Sequence, residues 1–194
     1  MRFFYHYFVT LLSACLAIGS TPSDGFGQQR PANQSAEPAQ SPVERGRYLV
    51  TVMDCNGCHT PFKMGEPDMT RMLSGHPQDV KVAAAPALPS DGMWSTAINQ
   101  TNTAWSGPWG VSFTTNLTPD PTGLGMWTEQ IFLSAIRNGK HLGTGRAILP
   151  PMPWRMYGKL TDNDLKAIYA YLRTVPAISN RVPAPIAPSG NRGR

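Results

Sequence analysis

The chain has 194 residues, 41% of them hydrophobic, which is enough for one domain with its own core, and its 19 prolines and 18 glycines predict much irregular structure. Three cysteines are too few to build a disulfide framework. The net charge of +5 comes without a dense cluster of lysines and arginines interleaved with aromatic residues, so no nucleic-acid-binding surface is predicted.

Residues 1–27 are predicted to form a secretory signal segment. A positive start at Arg2 is followed by a short apolar run and then by small residues, which is the order typical of an export signal. The run is too short and too interrupted for a transmembrane helix. Leu12–Cys15 also resembles a bacterial lipobox, in which Cys15 would be lipidated. The sequence therefore predicts a periplasmic location, either free or anchored to the membrane by a lipid or an uncleaved signal.

A flexible linker is predicted over residues 28–41, which are rich in Pro, Gln, Ser and Asn and lack apolar periodicity. The first helix is expected to begin with Ser41 as its cap and Pro42 at its first position. This helix contains Gly46, and glycine in a helix costs about 1 kcal/mol relative to alanine. Close approach of another helix would explain why a glycine is used there.

The motif Cys55-Asn56-Gly57-Cys58-His59 follows and is the attachment signature of a c-type haem. Two thiols three positions apart lie on one helical turn, so each can add to one of two neighbouring vinyl groups, and His59 can then ligate the iron. A thioredoxin-like redox pair would need a βαβ pattern, and a zinc site would need a second pair of cysteines or histidines at ligand spacing. Because neither follows, the sequence predicts one covalently attached haem c.

From Thr60 to Trp127 the pattern predicts a long, mostly irregular loop, with a short strand at residues 113–115. A loop of this length is expected in a compact domain only where it covers something, and here the porphyrin must be wrapped. The residues suited to that wall are Trp94, Trp105, Trp109, Phe113 and Leu117.

Two further helices are predicted. The second covers residues 128–138, with Thr128 as its cap and Gly139 as its stop. The third follows a cap at Thr161 and ends before Pro176. Its apolar positions, Leu165, Ile168, Tyr169 and Leu172, recur at helical spacing. The remaining residues, 177–194, form a proline-rich tail that is either disordered or laid over the surface.

Met152 is the predicted second axial ligand of the iron, because prolines on both sides fix where its sulfur points. A thioether is a soft ligand that favours Fe(II), so His/Met ligation raises the reduction potential. Met156 lies one helical turn away but lacks the flanking prolines. His76 or His141 would instead give bis-His ligation and a lower potential, although each also suits an ordinary loop histidine.

These residues together resemble a known family. Residues 115–120, 122–127 and 151–154, with the C-x-x-C-H motif and the capped terminal helix, resemble class I cytochromes c. More closely, they resemble bacterial cytochrome c domains found with membrane-associated dehydrogenases that oxidise alcohols, gluconate or aldehydes. The resemblance covers about residues 43–176 and implies an all-α fold, in which three main helices of a domain at residues 42–176 surround one haem.

The resemblance also implies specific roles. The first and last helices should cross near Gly46, with Tyr169 or Tyr171 against it, and His59 and Met152 should be the axial ligands. The chain should carry electrons rather than act as an enzyme, with a dehydrogenase as donor and another cytochrome or a terminal oxidase as acceptor. The alternative is a peroxidase-like haem enzyme or sensor, which requires Met152 to leave the iron.

Two smaller features are also predicted. A backbone carbonyl should accept the Nδ1 proton of His59, and the loop at residues 62–77 is its expected source. Removal of residues 1–27 takes away one Arg and one Asp, which leaves 16 basic and 11 acidic residues and a net charge still of +5. This balance either steers an acidic partner face or serves ordinary solubility.

Overall fold

The computed structural model describes residues 40–86 and 92–188 of the chain. The predicted signal segment (1–27), with its lipobox cysteine, lies outside the described residues, as do most of the predicted linker (28–41) and the end of the predicted tail (177–194). Within the described ranges, no helix is both long enough and apolar enough to cross a membrane.

The described residues contain five α-helices and five short β-strands. The helices are α1 Pro42–Val52, α2 Cys55–His59, α3 Glu129–Asn138, α4 Trp154–Tyr157 and α5 Asp162–Leu172. The strands are β1 Phe62–Lys63, β2 Glu66–Pro67, β3 Ala97–Ile98, β4 Ala104–Gly107 and β5 Gly110–Phe113. Short 3₁₀ turns cover Met69–Arg71 and His141–Gly143.

The three main helices that the sequence predicts correspond to α1, α3 and α5, but an all-α fold with an irregular loop is not confirmed. β1 and β2 form a hairpin, and β3, β4 and β5 form a three-stranded antiparallel sheet in that order. The first hairpin turns at Met64 and Gly65, which both have positive φ, as a type I′ turn requires. Strands of two to four residues are too short to show periodicity in the sequence, so four of the five are not predicted. The short strand predicted at residues 113–115 shares only Phe113 with β5.

The predicted helix boundaries follow from side-chain caps. The Ser41 hydroxyl accepts a hydrogen bond from the Glu44 amide (3.2 Å), and the Glu44 carboxylate accepts one from the Ser41 amide (2.9 Å), which forms a capping box. Thr128 and Thr161 cap α3 and α5 through their hydroxyls, which accept hydrogen bonds from the Ile131 and Asp164 amides. Gly139 ends α3 with a φ of 63°, a conformation that glycine adopts without strain.

α1 and α5 cross at Gly46, as predicted. A Cβ atom at Gly46 would overlap the Ala167 carbonyl of α5 and lie 2.8 Å from the Cβ of Tyr171. Of the two alternative aromatics, Tyr171 is therefore the neighbour, while Tyr169 donates its hydroxyl to the Trp127 carbonyl (2.5 Å). The closest contact is with backbone rather than with an aromatic ring, so the helices meet more tightly at this point than the sequence predicts.

The hydrophobic core lies between α1, α3 and α5. Its main members are Leu49, Val50, Phe132, Leu133, Ile136, Leu165, Ile168 and Leu172. Burying each such side chain stabilises the fold by about 1.5–3 kcal/mol. Several of them, including Leu165 and Ile168, also line the cavity described below, so the packing that folds the chain also forms the wall of the site.

The chain after α5 packs against the rest of the domain over residues 176–188, which we call the C-terminal segment. Ile186 pairs with Val111 of β5 in an antiparallel bridge, with backbone hydrogen bonds of 2.8 and 2.9 Å. Asn180 is fully buried. This segment therefore closes over the sheet and the loops beside it.

Candidate cofactor site

A cavity of about 420 Å³ brings together the four predicted site residues, Cys55, Cys58, His59 and Met152. Its wall is otherwise mostly apolar. The larger apolar members are Trp105, Phe113, Leu117, Leu124, Trp127, Phe132, Ile136, Leu165, Ile168 and Leu172. The cavity is thus shaped by α2, by the loops after β5, by α3, by residues 146–153 and by α5.

Three of the five residues predicted for this wall, Trp105, Phe113 and Leu117, line the cavity, and two do not. Trp94 is 65% exposed. The Trp109 ring lies against Gly107, where the chain turns between β4 and β5, and its indole nitrogen donates to the Ser112 hydroxyl (3.3 Å). For these two tryptophans the prediction was wrong. For Trp109 the reason is the β4–β5 hairpin, which the sequence did not predict and which places the ring on the sheet.

α2 presents both cysteines of the motif on a separate short helix. α1 ends at Val52, and Asp54 adopts a left-handed conformation (φ 52°) that breaks the chain direction before Cys55. The Asp54 carboxylate then accepts a hydrogen bond from the Gly57 amide (3.1 Å). A side chain at Gly57 would collide with that carboxylate, which explains the glycine between the two cysteines.

Both cysteines are partly buried. Burial raises the pKa of the Cys55 thiol to about 12, and it also raises the pKa of Cys58. The two thiols are therefore protonated at neutral pH and sit in a wall that disfavours charge. A thioether has no proton to lose and carries no charge. Two thioethers are therefore compatible with a wall that disfavours charge.

His59 is buried, with 7% of its surface exposed, and its Nδ1 lies 2.8 Å from the carbonyl oxygen of Thr115. We assign the proton to Nδ1, which donates to Thr115, and this leaves the Nε2 lone pair free to bind a metal. Burial lowers the pKa of His59, an effect that the Thr115 bond partly opposes, and so the neutral, ligating form is favoured.

The loop at residues 62–77 does not supply the carbonyl for His59, so that prediction was wrong. Residues of this loop instead lie between α2 and the chain at Thr114–Thr115. The Gly75 amide donates to the His59 carbonyl (2.8 Å), and the His76 amide donates to the Thr114 carbonyl (2.9 Å). The loop therefore packs against the chain at Thr114–Thr115, while the Thr115 carbonyl contacts the imidazole.

Met152 lines the cavity and is partly buried, whereas Met156 is 62% exposed and does not line it. The proline-rich chain before Met152 is fixed at two points. The Ser112 hydroxyl of β5 donates to the Pro150 carbonyl (2.5 Å), and the Ile148 amide donates to the Gly139 carbonyl (2.8 Å). Of the two candidate methionines, only Met152 has a side chain within reach of the site.

The two alternative histidines differ in their surroundings. His76 is fully buried outside the cavity wall, and both of its ring nitrogens are engaged, by the Thr103 hydroxyl and the Val80 carbonyl (2.9 Å each). A bis-His site that includes His76 is therefore excluded by its hydrogen bonds. His141 does line the cavity, with its ring edge-on to Trp127 at 5.4 Å. Burial, and then the nearby Arg146, lower the pKa of His141.

Two buried polar atoms in the cavity wall lack a hydrogen-bond partner among the described residues: the indole nitrogen of Trp105 and the hydroxyl of Thr114. Unpaired buried donors are unfavourable unless a ligand satisfies them. The propionate groups of a haem are acceptors of the kind that both donors lack. With two thiols on one helical turn, a nitrogen and a sulfur donor and an apolar wall, the residues present fit a covalently attached haem.

The chain is similar to proteins of known families. The family model described as Cytochrome c matches residues 43–176. The chain is 28% identical, over 195 aligned positions and 96% of its length, to the fructose dehydrogenase cytochrome subunit of Gluconobacter japonicus, of which it covers 33%.

Two further relatives are matched over 130 residues, or 66% of this chain. Identity is 32% to the gluconate 2-dehydrogenase cytochrome c subunit of Pantoea cypripedii and 29% to the cytochrome c subunit of the quinone alcohol dehydrogenase of Gluconobacter oxydans (strain 621H). The chain covers 22% and 20% of their lengths, so it spans a third or less of each of these three relatives.

Proposed function

This chain belongs to the cytochrome c family, and on that premise we propose that it is an exported electron-transfer protein that holds one covalently attached haem c. The observation that carries the proposal is a cavity with a mostly apolar wall that contains Cys55, Cys58, His59 and Met152. The number of haems rests on the sequence, in which C-x-x-C-H occurs once.

In this proposal each residue has one task. Cys55 and Cys58 would hold the cofactor covalently through thioethers and keep it from dissociating, while His59 Nε2 and the Met152 sulfur would ligate its iron. When bound there, a haem supplies an iron that exchanges one electron by alternating between Fe(III) and Fe(II). Thr115 keeps the His59 proton on Nδ1, and the apolar wall excludes water, so little rearrangement accompanies the change of charge.

The partners are proposed from the names of the relatives, which are cytochrome subunits of fructose, gluconate and alcohol dehydrogenases. We infer a dehydrogenase as the electron donor and another cytochrome or a terminal oxidase as the acceptor. Export to the periplasm follows from the predicted signal segment at residues 1–27, and lipidation of Cys15 or retention of the signal would anchor the chain. The chain itself carries electrons and does not oxidise the substrate.

The direct test is to produce the full chain in a bacterium that exports it and attaches haem. Mass spectrometry of the periplasmic protein should show one haem added, and replacing Cys55 and Cys58 with alanine should remove it. A redox titration should then follow a one-electron curve, with no peroxidase activity in the oxidised protein. Exported protein with two unmodified thiols would contradict the proposal, and peroxidase activity with Met152 displaced would support the alternative function.

One stretch of the chain that contributes to the cavity wall carries an excess of positive charge. Residues 130–161 contain no Asp or Glu, and four of their cations, Lys140, Arg146, Arg155 and Lys159, are exposed and form no ion pair with the described residues. Arg146 lies in the cavity wall itself. An excess of positive charge in this stretch favours partners or reagents that are negatively charged, and salt screens that attraction over about 10 Å at 0.1 M.

We therefore expect oxidation of the reduced protein by ferricyanide, an anion, to slow as salt is added. Arg155→Glu should slow it further and flatten the salt dependence, because the charge is reversed two residues after Pro153 of the cavity wall. Arg47→Glu on α1 is the matched control, since it makes the same change of net charge at an exposed residue outside the cavity wall. Stopped-flow rates at several salt concentrations decide the point, and equal effects of the two variants would mean that only net charge matters.

A further inference from the structure

The C-terminal segment is held by one side chain that uses its full hydrogen-bonding capacity. The buried Asn180 amide group donates to the carbonyls of Ser74 (2.6 Å) and His76 (2.9 Å). Its oxygen accepts from the Gln78 amide (2.9 Å) and from the Arg71 guanidinium (3.2 Å). A side chain that satisfies two donors and two acceptors at once fixes the chain at residues 71–78 in one position.

The same segment also binds the chain that follows β5. The Asn116 side chain, itself buried, donates to the Ile178 carbonyl (2.9 Å). The backbone N–H of Ile178 donates to the Thr118 hydroxyl (3.1 Å), and the backbone N–H of Asn180 donates to the Thr122 hydroxyl (2.9 Å). Residues 178–180 thus hold residues 74–78 and residues 116–122 together.

Those two stretches meet at the carbonyl that orients His59. Gly75 has a φ of +76°, and a Cβ atom there would lie 2.5 Å from the Thr114 oxygen and from the Thr115 carbonyl carbon. No gap therefore remains behind Thr115 while residues 74–76 stay in place. If these residues move away, the Thr115 carbonyl loses the support that keeps it 2.8 Å from His59 Nδ1.

We propose that Asn180 is a positioning residue for the cofactor site, which acts by holding residues 74–78 against Thr115 and so keeps the Thr115 carbonyl on His59. The inference rests on the proposed function, because it concerns the ligand of a bound haem. A hydrogen bond from Nδ1 makes the imidazole a more basic ligand and favours Fe(III), so the bond lowers the reduction potential. Loosening it raises the potential.

The test uses the full chain with haem attached. Two variants are compared, Asn180→Ala and the nearly isosteric Asn180→Asp, which loses both donated hydrogen bonds. We expect both to raise the reduction potential and to speed the exchange of the His59 Nδ1 proton. NMR of the reduced protein measures that exchange. Val50→Ala is the matched control, since Val50 is buried in the core but does not line the cavity. It should lower stability without shifting either measurement.

An unchanged potential and proton exchange in both Asn180 variants, or an equal shift in Val50→Ala, would overturn the inference. If the variants do not accumulate, hydrogen exchange in the wild-type protein tests the inference instead. The Gln78 amide and the His59 Nδ1 proton should exchange in the same opening event, and independent exchange would also overturn it. Failure of the wild type to take up haem or to exchange one electron would instead count against the proposed function, so the two failures are distinguishable.

Discussion

Replacing Met152 with alanine is expected to abolish the weak red-edge sulfur-to-iron charge-transfer band of the oxidised protein and to lower its reduction potential. The physical reason is that the thioether is a soft, uncharged donor that stabilises Fe(II) relative to Fe(III), so its loss favours the oxidised form. The optical spectrum and a redox titration of the haem-loaded variant measure both effects.

Met156→Ala is the control for this experiment, because Met156 is 62% exposed and lies outside the cavity wall. It should change neither the band nor the potential. Sensitivity at Met156 instead of Met152 would show that the ligand is wrongly assigned. A wild-type spectrum without the sulfur band would point to His141, which also lines the cavity.

The second large effect is expected at the crossing of α1 and α5. Gly46→Val should lower the free energy of unfolding by about 3 kcal/mol or more, the upper part of the range for overpacked sites. The neighbour of a new side chain would be the Ala167 carbonyl, and backbone within α5 cannot turn aside as a flexible side chain can. Denaturant unfolding of the haem-loaded protein gives the difference.

On the same helix Arg47 is exposed, so Arg47→Ala should change stability by no more than about 0.5 kcal/mol. The two variants separate the loss of close packing from any general sensitivity of α1. If Gly46→Val were as stable as the wild type, the close approach of α1 and α5 would not exist in solution.

The sequence predicts well those structural features that depend on residues close together in the chain. The caps at Thr128 and Thr161 and the stop at Gly139 are local signals, and the helices begin and end where those signals lie. The cysteine motif is also local. The crossing at Gly46 could be predicted because a glycine inside a helix is unfavourable without a packing reason.

What the sequence does not predict depends on distant contacts. Thr115 lies 56 residues from His59, and no residue type marks a backbone carbonyl as an acceptor. The sequence also does not predict the left-handed break at Asp54 that separates the motif from α1. An aspartate before a helix is an ordinary cap, so its presence does not indicate such a break. Asn180 sits in a stretch without any apolar pattern, so its burial could not be inferred from its neighbours.

The C-terminal segment also sets the order in which this protein can be assembled. The partners of Asn180 at Ser74 and Gln78 lie 106 and 102 residues before it, whereas Cys55 and His59 are synthesised much earlier than Asn180. Contacts between such distant residues require a long loop to close, which is slow and entropically unfavourable until the rest has folded. The cysteines can therefore react while the chain is still open, and the environment of His59 is completed last.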